Sequence, residues 1–142
     1  MHVVCKLGGH FTIATPAGYE LPEAPVLLAQ KIAAATGSKL TFLRDPHAAV
    51  KGANVIYTDT WTSMGQEAES QKRAEVFPPY QVNADLVFEA EKNVIVMHCL
   101  PAHRGQEITD EVADGPHSRL FPQAHNRLHA QKGILVHVFS EK

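Results

Sequence analysis

Short apolar runs of strand character alternate along this chain with stretches of helical period, and that alternation is what most narrows its fold. Residues 11–15 read as a strand stopped by Pro16-Ala17-Gly18, and residues 23–36 space Val26, Leu27, Ile32 and Ala33 as a helix does before Gly37. A second strand over 39–43 leads to Asp45-Pro46, an N-cap followed by a first-turn proline, and to a short helix closed by Gly52. The strand 54–58 follows, then a charged, alanine-containing helix over 66–77 stopped by Pro78-Pro79, a weaker helix over 84–90, and the most apolar strand, 93–97. A helical turn over 109–113 and a long final helix over 122–139, opened by Pro122, complete the pattern. This order predicts one α/β domain over residues 1–142, a doubly wound, mostly parallel sheet flanked by helices. Residues 1–9 read as the tail of a helix ending at Gly8-Gly9 with no strand ahead of it, so the sheet is expected to lack its first, central strand.

Composition excludes several classes of partner. With 142 residues, 44% of them hydrophobic and 20% charged, the chain can bury the core of a single domain. Its 13 basic and 15 acidic residues leave a formal charge of -2, with no basic block of the kind that nucleic acid or an anionic membrane surface attracts. No apolar run reaches membrane-spanning length, and the first six residues lack the basic and apolar segments of a secretory leader, so a cytoplasmic protein is expected. Cys5 and Cys99 have neither disulfide-framework nor metal-site spacing and are expected to be reduced.

Open α/β sheets bind ligands beyond the carboxyl ends of their strands. Two polar loops occupy that position: residues 59–65, Asp-Thr-Trp-Thr-Ser-Met-Gly, after the strand 54–58, and His98-Cys99-Leu100-Pro101 after the strand 93–97. They are expected to share one pocket. Asp59 offers a carboxylate, while Ser63-Met64-Gly65 stands ahead of a helix start whose backbone N–H groups can receive an anion, a pairing suited to a zwitterionic amino acid. Local chemistry accounts for the same residues differently, with Asp59 capping a turn and Ser63 capping the next helix alongside Glu67. Cys99 precedes Leu100-Pro101, whose extended or turn geometry aims the Cys side chain and the Leu carbonyl outward. A nucleophilic Cys99–His98 pair is opposed by strand alternation, which sends neighbours to opposite faces. Metal binding by His98, Cys99 and His103, or by His125 and His129 one helical turn apart, lacks evident third and fourth ligands. Arg127 can face an oxyanion or lie on a solvated helix surface.

Beyond these local readings, longer strings carry a resemblance. D-T-W-T-S-M-G-Q-E at residues 59–67, Y-Q-V-N at 80–83, H-C-L-P-A-H-R-G at 98–105, T-D-E-V at 109–112 and N-R-L-H-A-Q-K at 126–132 resemble the C-terminal, amino-acid-binding half of ornithine carbamoyltransferase. Together with A-T-P-A-G-Y-E at 14–20 the likeness covers essentially the whole chain. It implies transfer of a carbamoyl group from carbamoyl phosphate to the δ-amine of L-ornithine, giving citrulline and phosphate, with no metal or organic cofactor. By matching positions it implies that Asp59, Ser63 and Met64 bind the amino-acid end of ornithine, with Asp59 on its α-ammonium. Cys99 and Leu100 would lie beside the reacting amine and carbamoyl group, and Arg127 would bond the carbamoyl oxygen, which makes Cys99 and Arg127 the catalytic pair.

The resemblance has gaps. The family's Ser-x-Arg-Thr-Arg phosphate loop and His-Pro-x-Gln segment occur nowhere in these residues, and its Gly-Asp-x-Asn-Asn turn would fall just before Met1. The chain by itself is therefore expected not to complete the reaction. A stand-alone amino-acid-binding module, a nonfunctional remnant, and an enzyme for a related acceptor such as putrescine are the alternatives. The family likeness also implies a homotrimer, whose contacts would lie largely in the N-terminal domain.

Overall fold

The structure, a computed structural model, describes residues 1–62, 65 and 67–140, in two compact units, Met1–Lys51 and Gly52–Lys142. The first unit contains α1 (His2–Lys6), β1 (Phe11–Ala14), α2 (Glu23–Thr36), β2 (Leu40–Leu43) and α3 (Pro46–Val50). β1 and β2 pair in parallel, from Phe11 opposite Leu40 to Ala14 opposite Leu43. Local chemistry fixes the element ends here: Gly37 closes α2 in the left-handed region at φ 75°, and the Asp45 carboxylate accepts from His47 N at 2.9 Å to cap α3. α1 packs on α2 around buried Cys5, Ala29 and Ala33, and Thr36 Oγ1 donates to the Cys5 carbonyl at 2.7 Å.

The second unit holds β3 (Val55–Thr58), α4 (Ser70–Val76), α5 (Ala84–Phe88), β4 (Ile95–His98), α6 (Asp110–Ala113) and α7 (Leu120–Phe139), with single 3-10 turns at Glu67–Glu69 and Pro78–Tyr80. β3 and β4 are parallel, from Val55 opposite Ile95 to Thr58 opposite His98. The crossover between them runs through α4 and α5, as parallel strands require. Ile56, Val82, Leu86, Val94, Val96, Ile108 and Leu120 form the core. The segment entering α7 is hydrogen-bonded to β4, with Val96 N donating to the His117 carbonyl at 2.9 Å and Arg119 N to the Val96 carbonyl at 2.8 Å. No helix among the described residues is long and apolar enough to cross a membrane.

The parallel, helix-flanked α/β architecture matches expectation; the described strands form two two-stranded ladders, one in each unit. Element bounds differ from the sequence reading in several places, three of them with a clear local cause. The helix expected over 66–77 is a 3-10 turn followed by seven residues of α-helix, none of them buried; with no packed face, propensity alone does not hold a longer helix. The strand expected over 93–97 begins at Ile95 and includes His98, because residues 91–94 form a turn closed by Val94 N donating to the Glu91 carbonyl at 2.8 Å. α7 starts two residues before Pro122, which is tolerated there because first-turn N–H groups have no intrahelical acceptor.

Ile108 is fully buried at the centre of this core, whereas Phe88 is 90% exposed. Truncating Ile108 to Ala should lower the unfolding free energy in a urea titration by about 2–5 kcal/mol, and Phe88→Ala should change it by less than about 0.5 kcal/mol.

Candidate active site

Thr58 and His98 are opposite each other in the ladder, so the next residue on each strand, Asp59 and Cys99, emerges at one place. Cys99 Sγ donates to Asp59 Oδ1 at 3.0 Å, and the same oxygen accepts Thr60 N at 2.8 Å. The two strand-tip loops therefore share one site. A second tie runs alongside, where Thr60 Oγ1 meets His103 Nδ1 at 3.0 Å. Behind the first loop, Arg73 donates to the Trp61 carbonyl at 3.0 Å while pairing with Glu69 at 3.0 Å.

Burial and the Asp59 carboxylate, which accepts the S–H and repels the thiolate, together push the Cys99 thiol above its ordinary pKa. At neutral pH the group is a thiol. Burial raises the Tyr57 hydroxyl as well, with smaller contributions from the neighbouring Cys99 and Asp59.

His98 points inward and is fully buried with Glu107. Its Nε2 lies 3.0 Å from Glu107 Oε1, and its Nδ1 accepts Leu100 N at 2.8 Å. Those two bonds define a neutral ring with the hydrogen on Nε2. Glu107 Oε1 also accepts His103 N at 2.6 Å, so a single carboxylate oxygen ties together both ends of the turn 98–103. Within that turn Leu100 adopts φ 56° and precedes a cis peptide bond to Pro101. Its carbonyl accepts no hydrogen bond among the described residues.

With both His98 nitrogens engaged elsewhere, a Cys99–His98 nucleophilic pair does not form. Asp59, His98 and Cys99 do present three donor atoms within 4.8 Å of one another, a set that could hold a divalent ion only if His98 gave up one of those bonds. His103, the third member of the metal set weighed from sequence, turns instead to Thr60. Arg127 sits on α7, exposed, with no hydrogen bond or ion pair among the described residues. It lies one turn beyond Gln123 on the same side of the helix, and Gln123 Nε2 reaches Tyr57 OH at 3.5 Å. Ser63 and Met64 fall outside the described residues, and the helix expected to begin at 66 starts at Ser70.

Sequence reasoning missed Glu107, Thr60 and Gln123 as parts of this site. Glu107 lies in a polar loop with no periodic signal, and only the folded turn shows that its side chain is buried. A groove of about 510 Å³ elsewhere in this unit is lined by Val87, Phe88, Glu111, Val112, Pro116 and His117 and contains none of the predicted site residues. Polar groups converge at the strand tips instead, and convergence is what chemistry needs.

The chain is similar to known proteins. A family described as aspartate/ornithine carbamoyltransferase, Asp/Orn binding domain, matches residues 1–138. The chain is 55% identical over 131 residues to an ornithine carbamoyltransferase of Carboxydothermus hydrogenoformans, covering 92% of this chain and 42% of that protein. The solved structure of the ornithine carbamoyltransferase from Pyrococcus furiosus superposes with a TM-score of 0.87 at 53% identity, covering 93% of this chain and 42% of the other. That of an anabolic ornithine carbamoyltransferase from Campylobacter jejuni gives 0.92 at 32% identity, over 99% and 46%. The chain thus spans about two fifths of the length of the curated relatives it matches, 42% in the first two.

The raised thiol makes a direct prediction. Iodoacetamide at mildly alkaline pH should alkylate Cys99 more slowly than a free thiol, and Asp59→Asn should accelerate it, because losing the carboxylate lowers the pKa and raises the thiolate fraction. Cys5 is fully buried and stays silent in the folded chain, so mass spectrometry reads Cys99 alone.

Proposed function

The chain belongs to the aspartate/ornithine carbamoyltransferase family, and on that premise we propose that it is the amino-acid-binding part of an ornithine carbamoyltransferase. The reaction is transfer of the carbamoyl group of carbamoyl phosphate to the δ-amine of L-ornithine, giving citrulline and phosphate. The observation that carries this reading is the Asp59–Cys99 contact at paired strand tips, a carboxylate and a thiol presented together where a basic amino acid would be held.

Asp59 uses Oδ1 for Cys99 and Thr60, which leaves Oδ2 to pair with the α-ammonium of ornithine. Ser63 and Met64, by their positions in the shared motif, complete the hold on the amino-acid end. The other end of the substrate is an alkylamine with a pKa near that of lysine, about 10.4, so presenting it unprotonated at neutral pH costs about 4–5 kcal/mol. Cys99 bears on that cost through its charge state. A thiolate beside the amine would stabilise the ammonium form, whereas a thiol held neutral by burial and by Asp59 does not.

The neutral nitrogen then attacks the carbamoyl carbon, with Cys99 and the Leu100 carbonyl beside the reacting groups; the bond from that carbon to the phosphate oxygen breaks, and the proton the nitrogen sheds leaves with the phosphate. Arg127 bonds the carbamoyl oxygen as negative charge builds on it. The rest of the acceleration comes from aligning two bound substrates, and no covalent intermediate with the protein is required. Carbamoyl phosphate needs an anchor for its phosphate that the 142 residues do not contain in the family's form, so the other part of the enzyme supplies it. The trimer of the family and a cytoplasmic location belong to the same proposal.

Calorimetric titration of the chain with L-ornithine tests the reading. Saturable heat is expected, with Asp59→Asn weakening it about 10–100-fold, the equivalent of about 1.5–3 kcal/mol for a hydrogen bond to a charged group. Binding of putrescine equal to that of ornithine would contradict it, because putrescine lacks the α-carboxylate. Citrulline should form only when an N-terminal domain from a relative is added; turnover by the chain alone would refute the division of labour.

A further inference from the structure

The proposed carbamoyl transfer makes no use of a pair of imidazoles on the exposed face of α7. His125 and His129 are one turn apart, their ring centroids 4.9 Å from each other in an edge-on arrangement. Their Nε2 atoms face one another at 3.1 Å. That separation falls between the two bite distances of a metal chelate, about 2.9 Å for neighbouring positions of a square-planar ion and about 3.3 Å for a tetrahedral one, from metal–nitrogen bonds of about 2.0–2.1 Å. Helix geometry, not flexible loops, sets the spacing, so the two lone pairs need no backbone change to meet a common ion.

We propose that His125 and His129 form a chelating site for a borderline divalent ion such as Zn²⁺, Cu²⁺ or Ni²⁺. Imidazole nitrogens select these ions over Mg²⁺ and Ca²⁺, which prefer oxygen ligands. In the metal-free pair, one Nε2–H donates to the other Nε2. On binding, that hydrogen moves to Nδ1 of its own ring, both Nε2 lone pairs turn to the metal, and no proton is lost from the neutral pair. No third His, Cys or carboxylate donor joins the pair among the described residues, so water fills the remaining positions. Arg127 lies between the two histidines in sequence but about 200° around the helix from each, which keeps this ion away from the face assigned to carbamoyl transfer.

The test is an NMR titration of the ¹⁵N-labelled chain with ZnCl₂ at about pH 7.5, above the ordinary histidine range, following the imidazole nitrogens of each histidine. Both Nε2 signals should shift together and saturate at one ion, with Nδ1 protonated in both rings. His125→Gln and His129→Gln should each weaken that response at least about tenfold, the lower end of what even an outer-shell partner contributes to metal affinity. Cys99→Ser separates this site from the Asp59–His98–Cys99 donors and should leave the two rings' response intact. The proposal fails if only one ring responds, if either Gln variant binds as the parent chain does, if Cys99→Ser abolishes the response, or if MgCl₂ produces the same shifts.

Discussion

The register of the β3–β4 ladder is the constraint on which the rest of the site depends. Parallel neighbours lie about 4.8 Å apart, so residues that follow opposed positions leave the sheet side by side. Thr58 opposes His98, and Asp59 and Cys99 consequently meet at 3.0 Å. A slip of one residue would turn the side chains of one strand to the other face, and a slip of two would separate the pair by roughly 6.6 Å along the strand. The buried side chains Ile56, Val96 and His98 pin this register from the core side.

His98 and Glu107 extend that control into the turn beyond β4. Burying a carboxylate is costly without hydrogen-bond partners; Glu107 Oε1 finds them in the His98 ring and in the backbone of His103, while its buried Oε2 has none among the described residues. Leu100 adopts a left-handed φ of 56°, a conformation that costs a side-chain-bearing residue about 1–2 kcal/mol. The bond from its N–H to His98 Nδ1, of a kind that contributes about 0.5–1.5 kcal/mol, offsets part of that. The thiol and the Leu100 carbonyl therefore stand on a turn anchored in the core rather than on a loose loop.

Much of this was legible in the sequence wherever the cause is local. Asp45 before Pro46 and Gly37 after an apolar period marked helix ends that the structure keeps, because capping needs only neighbouring atoms. Asp59 and Cys99 were legible as site candidates from their position after strands, and alternation foretold that His98 and Cys99 would diverge. What was not legible depends on contacts distant along the chain. Glu107 reads as one more loop acid until the turn folds its carboxylate beneath His98, and Thr60 gains its meaning only from His103, 43 residues on. The long helix read over 66–77 failed because its polar composition offers no face to bury, while His98 joined β4 because Thr58 was there to pair with it.

Coupling between Asp59 and Cys99 is the central claim, and a double-mutant cycle on ornithine affinity measures it. Asp59→Asn, Cys99→Ser and the double variant are compared with the parent chain by calorimetry. The account predicts an interaction energy above about 0.5 kcal/mol, as contacting residues that serve one ligand show. Strictly additive losses would mean that the two strand tips act independently, and would contradict it.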